Sequence, residues 1–104
     1  MFIYNVTTHV EQTIEKQWLE WMNLEHIPQI IKTGKFTKVL LFKVITEEDD
    51  LGGKSYAVQY ICLNRNSYEK YLREDAPFFR KLAIEKFGQR ILFFRTELEQ
   101  ISAF

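Results

Sequence analysis

Residues 36–63 read FTKVLLFKVI, TEEDDLGG and KSYAVQYICL, two apolar runs on either side of an acidic connection that ends in two glycines. β-Branched and aromatic residues fill both runs, which indicates β-strands over residues 36–45 and 54–63. The polar segment 46–53 is short, so it predicts a turn that pairs the two strands as an antiparallel hairpin. Its acids, residues 47–50, are interpreted as a solvated turn, because they lack the spaced oxygen ligands and central glycine of a calcium loop.

A strand and a helix precede this hairpin. Residues 2–10 alternate and are rich in β-branched and aromatic types, which predicts the first strand. From Glu11 the apolar spacing changes to three and four, which is typical of an amphipathic helix. Pro28 interrupts that helix, because proline lacks the N–H group and crowds the preceding turn. A last helical turn ends at Gly34.

A second helix and a last strand follow the hairpin. Asn66 or Ser67 is expected to cap a helix that runs to Gly88, and residues 90–99 form the fourth strand. The order is therefore βαββαβ. With right-handed crossovers, this order predicts an α+β, ferredoxin-like fold in which two helices cover one face of a four-stranded antiparallel sheet.

The composition limits the classes of function. A chain of 104 residues has room for one hydrophobic core, so residues 1–104 are expected to form a single domain. Fourteen basic and fourteen acidic side chains cancel, which leaves no strong field to attract nucleic acid or a membrane. The start of the chain lacks the features of a signal peptide, and no apolar run approaches the about 20 residues that span a bilayer. With a single cysteine, these features favour a cytoplasmic protein.

Strand alternation divides the sheet into a helix-facing side and an open side. The expected helix-facing core consists of Tyr4, Val6, Val58, Tyr60, Leu92, Phe94 and Leu98. The expected open side consists of Ile3, Asn5, Thr7, Ala57, Gln59, Ile61, Phe93, Arg95 and Glu97. This second set is too apolar for a solvated surface and too polar for a monomer core. A homodimer with the two open faces stacked fits such a surface.

A series of short motifs along the chain resembles one protein family. The first half contains Tyr4-Asn5-Val6-Thr7, Trp18-Leu19-x-Trp21-Met22, His26-Ile27-Pro28 and Thr33-Gly34-x-Phe36. The second half contains Tyr56-Ala57-Val58-Gln59-Tyr60, Tyr68-x-x-Tyr71-Leu72, Ala76-Pro77, Phe87-Gly88 and Phe94-Arg95-Thr96. In this order they resemble the uncharacterised bacterial family called domain of unknown function 4286.

That resemblance implies a ferredoxin-like domain of the dimeric α/β-barrel type, and it implies no activity. Other proteins of this type include small oxygenases, isomerases and decarboxylating enzymes, an analogy that concerns the fold alone. This chain departs from the expected pattern at one position, because Asp75 stands where a second histidine before a proline is expected.

His26 is the candidate catalytic residue. It lies beside the break at Pro28, one turn after Met22 and two turns after Trp18. A histidine at a broken helix end can act as an acid or a base near neutral pH. Alternatively, its ring hydrogen-bonds a carbonyl freed by Pro28 and fixes the kink.

The candidate ligand-binding residues are Asn5, Trp18, Met22, Gln59, Tyr60 and Arg95. Asn5, Gln59 and Arg95 share one predicted phase on three neighbouring strands, and together they can hold a carboxylate or a carbonyl. Alternatively, they form a polar network across the dimer interface. Trp18 and Tyr60 are the expected apolar walls of a pocket between sheet and helices, although aromatic residues at such spacing also suit an ordinary core.

No metal or cofactor is predicted, because the two histidines and one cysteine show no ligand spacing. The sequence favours a homodimer that binds a small apolar or aromatic molecule carrying a carbonyl or carboxylate, and leaves cofactor-independent catalysis open. A non-catalytic interaction or regulatory module is the alternative. RNA binding ranks third. Met1-Phe2-Ile3-Tyr4-Asn5-Val6 is close to the first-strand pattern of RNA-recognition motifs, and Lys54-Ser55-Tyr56-Ala57 begins like their third-strand pattern, but Val58 stands where the second stacking aromatic belongs.

Overall fold

A computed structural model describes residues 1–46 and 52–104 of the chain. The acidic run 47–50, interpreted above as a solvated turn, lies outside the described residues. The strands are β1 (Phe2–Glu11), β2 (Lys38–Lys43), β3 (Gly53–Cys62) and β4 (Ile91–Glu99), and the helices are α1 (Glu15–Trp21), α2 (Ile27–Ile31), α3 (Arg65–Glu74) and α4 (Ala76–Phe87). Short 3₁₀ turns at Gln12–Ile14 and Gly88–Arg90 lead into α1 and β4, and a π-helical turn, Met22–His26, joins α1 to α2.

The four strands form one sheet in the order β2-β3-β1-β4, and every neighbouring pair is antiparallel. β1 therefore lies in the centre between β3 and β4. This arrangement confirms the predicted βαββαβ order and the central position of the first strand. It also makes β2 and β4 the two edges of the sheet.

The core lies between one face of the sheet and the helices. On β1 and β3 the buried side chains alternate, as the sequence predicts, and they include Tyr4, Val58 and Tyr60. The helical layer contributes Trp18, Trp21, Met22, Ile30, Tyr68, Tyr71, Phe79 and Phe87 to the same apolar cluster. A buried large apolar side chain contributes roughly 1.5–3 kcal/mol, so these aromatic residues carry much of the stability of the fold.

The predicted phase of β4 is wrong. Val10 pairs with Ile91, which places Ile91, Phe93 and Arg95 on the helix-facing side of the sheet. Phe94 was expected in the core but lies on the open side and is 64% exposed.

Leu92 and Leu98 were also expected in the core and also lie on the open side. Conversely, Phe93, Arg95 and Glu97 were expected on the open side but lie on the helix-facing side. The first four residues of β4 are all apolar, so alternation cannot choose between the two phases. Beyond Ile91 all of β4 is exposed, including its helix-facing side, so charged residues there remain in contact with water.

The first helical region is interrupted just before its proline. In the turn Met22–His26 the helix widens, and the N–H group of Ile27 donates to the carbonyl of Met22, five residues back. Pro28 has no N–H group to continue the regular ladder, and it occupies the first turn of α2, where none is needed.

The second helical region was expected to be one helix that runs to Gly88, but it too is interrupted just before its proline. Asp75 separates α3 from α4, and Pro77 lies in the first turn of α4. The carboxylate of Asp75 forms an ion pair with Lys35 at 2.6 Å. The residue that stands where a histidine was expected therefore holds the segment after α2 against the junction of α3 and α4.

Asn64, and not Asn66 or Ser67, caps α3. Its side-chain oxygen accepts a hydrogen bond of 3.0 Å from the backbone N–H of Ser67. We expect Asn64→Ala to lower the free energy of unfolding by about 1 kcal/mol, because an N–H group of the first turn loses its partner. Asn66→Ala, within the helix, should change it by less than about 0.5 kcal/mol. Urea unfolding followed by circular dichroism measures both, and equal losses would contradict this cap.

Candidate functional site: a cavity between sheet and helices

A cavity of about 70 Å³ lies between the helix-facing side of the sheet and the helices, and it is partly open to solvent. The sheet lines it with Tyr4, Val6, Thr8, Val58, Tyr60, Ile91 and Phe93. The helical layer lines it with Trp18, Trp21, Met22, His26, Tyr71, Phe79, Arg80 and Ala83. A wider depression of about 270 Å³ on the outside of the helices is bordered by exposed polar residues such as Gln17 and Glu20. The cavity between sheet and helices, whose lining is mainly apolar and aromatic, is therefore the candidate site.

Aromatic contacts hold the walls of the cavity in place. Trp18 is 2% exposed, and its ring lies 5.2 Å from that of Tyr56. The rings of Tyr4 and Tyr60 lie 5.6 Å apart beneath the helices. Burial raises the pKa of Tyr4 to about 12 and that of Tyr60 well above its ordinary value. Both hydroxyls are therefore protonated and neutral at physiological pH.

His26 faces the cavity from the end of the π-helical turn. Its ring stacks on Trp21 with centroids 4.4 Å apart and meets the ring of Phe79 edge-on at 5.6 Å. Burial lowers the pKa of His26 to about 4, so the imidazole is neutral at pH 7. Within the described residues its buried Nδ1 atom has no hydrogen-bond partner, so this atom does not hold a carbonyl freed by Pro28.

Arg80 is the site residue that the sequence analysis missed. It lies on α4 and lines the cavity, and its buried Nε and Nη2 atoms have no hydrogen-bond partner among the described residues. Arg80 follows Ala76 by four positions and precedes Ala83 by three, so it belongs to the inward-facing stripe of α4. A cation within an apolar stripe is the sequence signal that identifies it.

The cavity brings together four of the seven predicted site residues. His26, Trp18, Met22 and Tyr60 all line it. Arg95 is on the same side of the sheet, two residues beyond the lining residue Phe93. Its charge acts on Tyr4, where it opposes the effect of burial on the pKa of the hydroxyl.

Asn5 and Gln59 lie on the other side of the sheet. They are direct cross-strand partners on the open face, and the side chain of Asn5 donates to the hydroxyl of Thr7 at 3.3 Å. The predicted convergence of Asn5, Gln59 and Arg95 does not occur, because the phase of β4 is opposite to the expected one. Glu97, two residues beyond Arg95 on β4, forms an ion pair of 3.0 Å with Arg65.

In residues 1–46 and 52–104, no group of three or more histidine, cysteine, aspartate or glutamate residues is placed to hold a metal ion. None of the helices in these ranges has both the length and the apolar character that crossing a membrane requires.

The sheet order, the antiparallel pairing and the helices on one face define a ferredoxin-like α+β protein. Solved structures with this fold include a dimeric ferredoxin-like protein from an uncultured marine organism, which has a TM-score of 0.71 and 12% identity over 99% of this chain and 97% of that one. An ethyl tert-butyl ether d (EthD) family protein from Bacillus halodurans C-125 has a TM-score of 0.71 and 14% identity over 97% of this chain and 100% of that one. At these identities the likeness shows the fold alone.

The chain belongs to the family described as domain of unknown function (DUF4286), whose model matches residues 1–101. This confirms the family that the sequence motifs resemble. A comparison with curated proteins gave no match.

Proposed function

We propose that this protein is a homodimer that binds a small apolar or aromatic molecule carrying a carbonyl or carboxylate in the cavity between sheet and helices. One observation carries the proposal: a largely apolar cavity is lined by His26 and Arg80, and the buried Nδ1 atom of His26 and the buried Nε and Nη2 atoms of Arg80 have no partner among the described residues. Buried polar groups are normally hydrogen-bonded, so unpartnered ones in a cavity favour a ligand that completes them.

The size of the cavity limits what it can hold. A dry cavity of about 150 Å³ admits benzene, so about 70 Å³ admits only a small fragment unless the lining moves. Phe93, which lines the cavity on β4, is 37% exposed, so it is the lining residue least enclosed by its neighbours on that side of the cavity. We therefore expect a ligand no larger than a single substituted ring, with rearrangement at the β4 side of the cavity.

We assign His26 a hydrogen-bonding role. With its pKa lowered to about 4, the neutral imidazole can donate or accept a hydrogen bond at pH 7 but is a poor proton acceptor there. This favours binding over acid–base catalysis. The interaction-module alternative is favoured only by the small size of the cavity.

The homodimer is proposed from the open face of the sheet. The strand pairings place Ile3, Leu40, Phe42, Ala57, Ile61, Leu92, Phe94 and Leu98 on this face, with Asn5, Thr7, Gln59 and Thr96 between them. Lys38 supplies a charge at one end. A broad apolar face with few charges suits burial against a second copy. Two proteins with this fold are described as dimeric, which supports the same arrangement.

RNA is a poor partner for this face. Tyr4 and Tyr56, which fit the patterns of RNA-recognition motifs, are buried beneath the helices and cannot stack on bases. We also propose a cytoplasmic location, since the one cysteine, Cys62, is a buried free thiol.

We expect acetophenone, a small neutral aromatic ketone, to bind in the cavity. The two tryptophans of the chain, Trp18 and Trp21, both line it, so their indole N–H signals in two-dimensional NMR report on occupancy. Acetophenone should shift these signals saturably. Ala83→Leu, which places a larger side chain in the cavity, should weaken the binding at least about tenfold.

The matched control is Ile84→Leu, because Ile84 is the next residue of α4 and is 55% exposed. This variant should bind acetophenone as the native chain does. The absence of saturable shifts in the native protein, or undiminished binding by Ala83→Leu, would refute the proposed pocket.

A further inference from the structure

We propose that Arg80 is the anion-binding residue of this cavity and that the ligand class is small monocarboxylates with an apolar body. This inference rests on the proposed function, because it assumes that the cavity binds a ligand. It goes further by assigning the charge of the ligand and the atoms that hold it.

The unpartnered atoms of Arg80 form one edge of the guanidinium group. Nε and Nη2 are the two nitrogens whose N–H bonds point in parallel from the same side of the planar group. Both are buried, and both have no hydrogen-bond partner among the described residues. The two oxygens of a carboxylate match this edge and accept both hydrogen bonds at once.

The described residues provide no carboxylate for Arg80. Asp75, at the start of α4, is paired with Lys35 at 2.6 Å, and Glu85, further along the helix, lies 3.9 Å from Lys81. On β4, Glu97 is paired with Arg65 at 3.0 Å. A guanidinium group with one edge buried and no counter-ion is costly, so an anion that enters the cavity gains both the ion pair and relief from this cost.

The charges around the cavity determine which anion fits. Arg80 is the one lysine or arginine among the lining residues, the nearby Arg95 is exposed to water, and His26 is neutral at pH 7. One positive charge suits a monoanion, whereas a phosphate dianion would keep an unbalanced charge in an apolar site. The aromatic walls, formed by residues such as Trp21 and Phe79, suit an apolar body. The free Nδ1 atom of His26 provides a further hydrogen bond for a polar substituent.

The test compares benzoate with benzamide, its neutral analogue of similar shape, using the same indole N–H signals at constant ionic strength. The native protein should bind benzoate more tightly than benzamide. Arg80→Gln should weaken benzoate binding ten- to hundredfold, the range expected for charge-assisted hydrogen bonds. Arg80→Lys, which keeps the charge but loses the parallel edge, should weaken it at least about fivefold.

Two controls separate the failure of this inference from the failure of the pocket. Arg73→Gln removes the same charge from an exposed position on α3 and should leave benzoate binding unchanged. Acetophenone carries no charge, so Arg80→Gln should weaken its binding clearly less than it weakens the binding of benzoate, and the difference between the two losses reports the ion pair.

Undiminished benzoate binding by Arg80→Gln would overturn the assignment and leave the pocket intact. Equal loss of acetophenone binding in that variant would show a general disturbance of the site, and would also overturn it. Inorganic phosphate that binds as tightly as benzoate would overturn the carboxylate class. If neither acetophenone nor benzoate binds to the native protein, the proposed function itself fails.

Discussion

Phe94→Glu should dissociate the protein into monomers at micromolar concentration, raising the dimer dissociation constant at least about a hundredfold. Phe94 lies on the open face opposite Thr7 of the central strand and is 64% exposed in a single chain. If two such faces stack, a carboxylate at this position is buried without a partner of opposite charge. Sedimentation equilibrium over a range of concentrations measures the effect, and native mass spectrometry provides a second reading.

The matched control is Leu24→Glu. Leu24 is 75% exposed, and it lies in the π-helical turn and so on the helical layer, away from the open face. This variant carries the same new charge and should remain dimeric. A dimeric Phe94→Glu variant, or a native chain that is monomeric throughout, would show that the open face is not the dimer interface.

His26 should make the protein lose stability as the pH falls, through proton binding to the unfolded chain. Burial lowers the pKa of His26 from its ordinary value of 6.5 to about 4 in the folded state. Between these values the unfolded chain binds the proton and the folded chain does not, so acidification favours unfolding. At 1.36 kcal/mol per pKa unit, the native protein should lose about 3 kcal/mol more than His26→Gln between pH 7 and pH 4.

Urea unfolding of both proteins at several pH values measures this difference. The carboxyl groups are the same in both proteins, so their contribution to the pH dependence cancels. NMR titration of the imidazole signals gives an independent measurement, and His9→Gln identifies which signal belongs to His26. A folded-state midpoint near pH 6, or a stability difference that does not change with pH, would contradict the effect of burial on His26.

The sequence allowed the order of the elements to be predicted, because that order depends on strong local signals. The hairpin, the period-two strands and the break near Pro28 each appear within about ten residues. The phase of β4 has no such signal, since Ile91, Leu92, Phe93 and Phe94 are apolar in succession. The register of β4 against β1 decides which side of the sheet each of these side chains faces, and this register depends on contacts between segments far apart in the chain.

The candidate site was predicted in part for the same reason. His26, Trp18 and Met22 lie on one stretch of helix whose spacing is readable, and Tyr60 follows from the alternation of β3. Arg80 approaches them from α4, a contact between segments far apart in the chain. Arginine side chains are mostly exposed in proteins, so the residue type alone does not indicate an inward position for Arg80.

The π-helical turn between α1 and α2 makes the position of His26 depend on the number of residues as well as on their identity. The turn contains one more residue than an ordinary α-helical turn, and each residue of an α-helix advances the chain by about 100°. If a related chain lacked one residue here, α2 would rotate by that angle relative to α1, and the imidazole would swing away from the cavity while the tryptophans stayed in place. A single insertion or deletion, with no change to the core, is therefore a simple evolutionary route by which members of the family can gain or lose this polar group.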